Sequence, residues 1–321
     1  MIAVPAEEGV SADYKKYLEK EKIVRYFSGK TEFLYRGYLD GVDMAMMVHA
    51  STETDSMDCP VGTNGNIHKK ATFLGKSAHA GASPHLGKNA LYAATTALSA
   101  ANALRETFRE KDYIRFHPII SQGGTVVNAI PDTVVCDGML RGAEMNAIQS
   151  VSRQINLAFA GCAAAMGCGL ILKDHFGTAP RYNDHNMRQS FWEVASEFFP
   201  PEGMNFNKSW ETGCSDMGNI SAVMPAVHPF IGGVAGGEHS DDYYVSDAEK
   251  ACVTGGKIIV GVIIKMLEND GAFAQKVLAE KKVPFATKED FFAAIDAFNQ
   301  EINAVVYEKD GTVILKMKAE K

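Results

Sequence analysis

Lys69-Lys70-Ala71-Thr72-Phe73-Leu74-Gly75-Lys76-Ser77-Ala78-His79-Ala80 opens the part of this chain that decides its fold, a strand that breaks at Gly75 into a polar loop. An alanine-rich helix over 89–109 follows, then strands over 113–122 and 133–141, a helix over 144–166 and a strand over 169–175. This β-α-β-β-α-β order is the ferredoxin-like unit. It predicts a four-stranded antiparallel sheet with two helices on one face. Ala90, Ala93, Ala94, Ala97 and Ala101 share one side of the first helix, where small side chains let it lie close against a sheet.

This unit interrupts another. Residues 1–67 read as strand, helix and buried strand, with a polar hinge over 51–66. After Pro180 an α/β pattern resumes, with a helix near 186–198, a strand near 223–231 and a long helix over 247–267. The expected division is 1–67 with 181–268, an insertion at 68–180, and an extension of unknown role over 269–321. Within the extension, 305–315 reads as a hairpin with a type I′ turn at Asp310-Gly311.

Three apolar runs in the flanking parts end in candidate ligands. Met1-Ile2-Ala3-Val4-Pro5-Ala6 delivers Glu7 and Glu8 into a glycine turn, and the run from Val42 to Val48 stops at His49. The third, from Ala226 to Ile231, passes through a glycine-rich loop to His239. Sites in open α/β sheets form outside the carboxyl ends of the strands. Neighbouring strands would therefore bring Glu8, His49 and His239 together, and one Glu with two His suits zinc or manganese. Of two adjacent carboxylates, one can hold a metal while the other takes a proton from water. Taken singly, the Glu pair also reads as an exposed acidic turn, and each His as a satisfied structural residue.

The 321 residues, 46% hydrophobic and 22% charged, suffice for about two domains. A formal net charge of -7, with no basic stripe carrying interleaved aromatics, argues against a nucleic-acid partner. The apolar run over 258–266 contains Lys265 and falls short of the ~20 residues of a membrane helix. The start of the chain lacks the pattern of a signal peptide. Six cysteines form no C-x-x-C pair, so reduced thiols in the cytoplasm are expected.

Five segments in order carry a resemblance. They are Pro5-Ala6-Glu7-Glu8-Gly9; Gly75-Lys76-Ser77-Ala78-His79-Ala80 with Pro84, Gly87, Asn89 and Ala90; Gly123-Gly124 with Asn128-Ala129-Ile130-Pro131-Asp132 and Arg141; Ser215-Asp216-Met217-Gly218; and His228-Pro229. Together they resemble the aminoacylase and carboxypeptidase G family of dinuclear metallopeptidases. The likeness is greatest to the amidohydrolase branch, with its indole-acetyl-amino-acid and p-aminobenzoyl-glutamate hydrolases. It covers residues 1 to about 268.

The resemblance implies a zinc-peptidase-like α/β catalytic domain carrying an inserted ferredoxin-like lid, also the dimerisation domain. It implies a metal-dependent hydrolase of amide bonds in N-acyl amino acids or small peptides. Glu7 matches the general base, and Glu8, His49 and His239 match ligands of two divalent ions, zinc or manganese. His79 matches the lid histidine that steadies the oxyanion, often in a partner subunit's site. Asn128 and Arg141 match residues that bind the substrate's carboxylate or carbonyl. Bland alternatives stay open: a cap on the Ile-Pro turn for Asn128, a strand-end salt bridge for Arg141, and a loop histidine bonding its own backbone for His79. Asp43, Asp216 and His228 read as structural.

One feature of the branch is absent. Its members carry a Cys-Gly-His-type segment upstream of the Glu pair that supplies further ligands, and none of the six cysteines here is followed by Gly-His. The expectation is a chain lacking the amino-terminal part of its catalytic domain, its metal site partial or empty and its activity impaired unless a complementing polypeptide supplies the rest. A catalytically dead relative serving as a binding or assembly subunit is the alternative.

Overall fold

The computed structural model of the chain describes residues 1–5, 11–206 and 210–317. They form two compact units, residues 1–64 with 178–292 and residues 65–177 with 293–321. The extension over 269–321 is thereby shared between the two.

The inserted unit contains β1 (Gly65–Leu74), α1 (Ala90–Ala103), β2 (Arg115–Gln122), β3 (Thr133–Gly142), α2 (Met145–Ala165), β4 (Gly169–Thr178), β5 (Gln300–Tyr307) and β6 (Val313–Leu315). Its sheet has the order β6-β5-β4-β1-β3-β2. β1–β4 have the ferredoxin-like arrangement, with β3 antiparallel to both β1 and β2. The sheet has six strands rather than four, because the end of the chain adds β5 antiparallel to β4 and β6 antiparallel to β5. The expected hairpin is present, but its turn is not type I′. Glu308 donates its N–H to the Thr312 carbonyl at 2.9 Å, and of the three residues between only Gly311 has positive φ, the pattern of a three-residue loop with a glycine bulge.

Both helices pack on β1 and β3 and against each other. All five alanines of the α1 stripe are buried, and Asn89 caps the helix by accepting N–H bonds from Leu91 at 3.0 Å and Tyr92 at 3.1 Å. Along β1 the core side takes Ile67, Lys69, Ala71 and Phe73 in period 2. Lys69 is tolerated there because its Nζ bonds Asp174 Oδ1 at 2.7 Å and Ser152 at 2.8 Å.

In the other unit, the runs over 45–51 and 225–231 pair in parallel. Ala45, Met47, His49 and Ser51 donate N–H bonds to the carbonyls of Pro225, Val227, Pro229 and Ile231 at 2.8–3.1 Å. The ladder registers as two short pieces, Ala45–Met46 with Ala226–Val227 and His49–Ala50 with Phe230–Ile231. Pro229 has no N–H, and that of His228 turns to Asn183 Oδ1 at 2.9 Å. The expected buried strand over 42–49 is only half-buried from Met44 onward. Among the described residues it has a single strand neighbour. Helices His185–Ala195 and Gly255–Glu280 supply Phe191, Ile258 and Val262 to a core shared with Val227 and Ile231. The latter helix breaks at 268–271, close to the expected end at 267.

Residues 1–5 form no strand, contrary to the sequence reading. Instead they lie against Gly29, where an added Cβ would sit 1.9 Å from the Pro5 carbonyl oxygen. Among the described residues no helix is long and apolar enough to cross a membrane.

Candidate active site

The parallel ladder fixes His49. Its amide bonds Pro229, its ring lies 5.8 Å from that of His228 and 5.7 Å from Phe230, and Nδ1 contacts the Ala50 carbonyl at 2.6 Å. A ring whose Nδ1–H is donated to a carbonyl presents a lone pair at Nε2, the form in which histidine ligates metals.

His239 is carried by the tight loop that joins the two strands of the hairpin formed by Val234–Ala235 and Tyr244–Val245. Gly236 makes the turn possible: its φ is +91° and a Cβ there would stand 2.1 Å from the Asp242 carbonyl. His239 is exposed, with φ of 63°. The neighbouring Glu238 accepts a bond from Ser51 Oγ at 3.4 Å, so this loop meets the chain two residues beyond His49.

Glu7 and Glu8 lie outside the described residues. Among the described residues no three His, Cys, Asp or Glu side chains are grouped as a metal site. A pre-assembled cluster is therefore not present there, although the donors have the right chemistry: an oriented imidazole, an exposed imidazole and a carboxylate one residue away.

In the inserted unit, His79 and Asn128 are clasped. Ala80 N–H donates to the Asn128 carbonyl and Ile130 N–H to the Ala78 carbonyl, both at 2.9 Å, around a bridge between His79 and Ala129. Nδ1 of His79 accepts from the amides of Gly81 at 3.2 Å and Ala82 at 3.0 Å. That is the backbone bonding foreseen for a structural histidine. It also places the proton of the neutral ring on Nε2, leaving an exposed donor. Arg141 lies elsewhere. It pairs with Asn66 and Arg115 near the far end of β3, eight residues beyond Thr133, or about 27 Å along a strand.

Asp216, read as structural, is so. It accepts from Ser28 Oγ at 2.8 Å and Lys30 Nζ at 2.6 Å, tying its segment to helix Gly29–Tyr35, against which Pro5 rests. His228 is fully buried, bonded through Nδ1 to Arg181 Nη1. Burial, followed by the Arg181 charge, holds it well below the usual histidine range. Arg181 is pulled down to about 10 by burial, so it remains a cation at neutral pH. Nothing in Pro180-Arg181-Tyr182 marked that residue; only the fold reveals its setting.

The described residues thus form an α/β unit interrupted by a ferredoxin-like one, with His49 and His239 on the first and the clasped His79 on the second. Residues 61–160 match the peptidase dimerisation domain of the M20 family. The chain is 28% identical over 208 residues to the human Xaa-Arg dipeptidase, covering 63% of this chain and 46% of that protein. It is 26% identical over 175 residues to one of the two subunits of the p-aminobenzoyl-glutamate hydrolase of Escherichia coli, covering 54% of this chain and 36% of that protein. A dinuclear metal binding peptidase of the M20 family from Bacillus subtilis shares the fold, with a TM-score of 0.58, 18% identity, and coverage of 75% of this chain and 62% of that one. Residues 61–160 are thus similar to a peptidase dimerisation domain, and the chain as a whole is similar to peptidases and hydrolases of this kind. It spans about half the length of the curated relatives it matches.

Proposed function

We propose that the chain forms the ligand-bearing strand ends and the lid of a metal-dependent amidohydrolase that cleaves N-acyl amino acids or small peptides. The observation that carries this reading is the parallel ladder, which orients His49 with Nε2 free while Ser51 holds the loop of His239. Glu8, His49 and His239 would hold divalent ions, zinc or manganese. When bound, such an ion polarises the scissile carbonyl and lowers the pKa of water.

The chain's own groups do the rest. Glu7 takes the proton of the attacking water and returns it to the leaving amine. His79 Nε2–H donates to the oxyanion, which strengthens in the transition state. Arg141 and Asn128 hold the substrate's carboxylate or carbonyl. The separation of Arg141 from the His79–Asn128 clasp favours a homodimer in which one lid serves the partner's substrate. Catalytic zinc takes about three protein ligands and a water, so two such ions would need more ligands than Glu8, His49 and His239, which a complementing polypeptide would supply. None of the six cysteines forms a disulfide, which supports a reducing, cytoplasmic setting.

The test is a panel of N-acyl amino acids and dipeptides assayed with added zinc or manganese, on the chain alone and on a version completed with the missing portion of a relative. Hydrolysis by the completed form, with little by the chain alone, is expected. A completed, folded form that binds neither metal nor substrate contradicts the reading.

A further inference from the structure

Arg181 is the largest fully buried side chain of the unit holding His49, at 1% exposure. Nη1 meets His228, yet among the described residues Nε and Nη2 have no hydrogen-bond partner, nor does Nε2 of His228. No carboxylate among the described residues forms an ion pair with it; Glu211 acts only at longer range. A buried cation without a counter-ion costs several kcal/mol, and a guanidinium edge with two N–H groups available matches a carboxylate fork. His228 and Phe230 stack with centroids 5.6 Å apart, the guanidinium lies 5.4 Å from the Phe230 ring, and His49 touches both aromatic neighbours. His49 and Phe230 are half-buried, so the cluster reaches the surface through the candidate ligand itself.

We infer that Arg181 and His228 form a recess for one carboxylate beside His49, and that its occupant is the free carboxylate of the substrate, which leaves the substrate's carbonyl to Arg141 and Asn128. The choice of occupant rests on the proposed hydrolase. The recess itself rests on the unpartnered N–H groups. Arg181 Nε–H and Nη2–H would donate to the two oxygens, and the Nε2–H of the neutral His228 ring, whose Nδ1 accepts from Arg181, would donate alongside. A metal at His49 would favour an anion there still further. Substrates lacking a free carboxylate would leave the guanidinium uncompensated and be rejected.

Calorimetric titration of the chain without metal, using N-acetylmethionine, N-acetylmethioninamide, acetate and sulfate, tests this apart from turnover. The acid is expected to bind at least tenfold more tightly than the amide, with acetate competing. Arg181→Met, which replaces a buried cation by an apolar chain of similar reach, should remain folded by circular dichroism and bind acid and amide alike. Arg181→Lys should keep part of the preference. Equal binding of acid and amide to the wild type, or an undiminished preference in Arg181→Met, overturns the recess. Binding of acetate or sulfate without N-acetylmethionine overturns the substrate assignment. Failure of hydrolysis with the preference intact would fault the proposed enzyme and leave the recess standing.

Discussion

Asp216 is a carboxylate whose value is structural. Its side chain is 2% exposed and that of its partner Lys30 10%, at 2.6 Å. Removing one member of such a pair costs about 3–5 kcal/mol, because the other stays buried and charged. Asp216→Ala should show that loss in urea unfolding, and Lys30→Met with Asp216→Leu should recover most of it. Cys59 gives a second prediction. Burial pushes its thiol from 9.0 up to about 11. Between those values the unfolded thiol has ionised and the native one has not, so stability is complete below pH 9 and is lost as pH rises through 11. The loss is about 2–3 kcal/mol. Alkaline unfolding curves of Cys59→Ala should lack that part of the decline. At this scale the sequence shows residue types but not their partners: His49 and His239 were legible as run ends, whereas Arg181 resembled any other arginine beside a strand.

The β-α-β-β-α-β order and the alanine stripe were legible because local periodicity encodes them. β5 was not, since its pairing joins Gln300 to Asp174 across 126 positions and no local pattern records a partner so distant. That strand has consequences for the lid. Gln300 Nε2 bonds Asp174 Oδ2 at 2.8 Å, beside the buried Lys69, and Tyr307 donates to the Ala164 carbonyl at 2.8 Å. Deleting residues 298–321 should lower the lid's unfolding temperature and promote self-association, because it bares the edge of β4. Scanning calorimetry with light scattering would register both, and an unchanged transition would show β5 and β6 to be accessory. The broken 45–51 ladder also escaped the sequence, which showed an apolar run but not that Pro229 and Asn183 would interrupt its pairing.

For the whole molecule, β5 and β6 close one side of the lid sheet and leave β2 as its long free edge, where Ile119 is 64% exposed. A second copy pairing there would build the homodimer proposed above. Light scattering at micromolar concentration should give twice the 34.8 kDa chain mass, and Ile119→Lys should shift it towards monomer. Monomer throughout would exclude this route to a shared site. In the proposed enzyme Glu7 moves a proton, and Glu8, His49 and His239 would hold the metal. The most direct measurement compares wild type with Glu7→Gln in the completed protein, following amino-acid release from N-acyl amino acids and metal content together. Full metal content with a fall in turnover of roughly 10²–10⁴ is expected. Hydrolysis that proceeds at the same rate without the Glu7 carboxylate would contradict it.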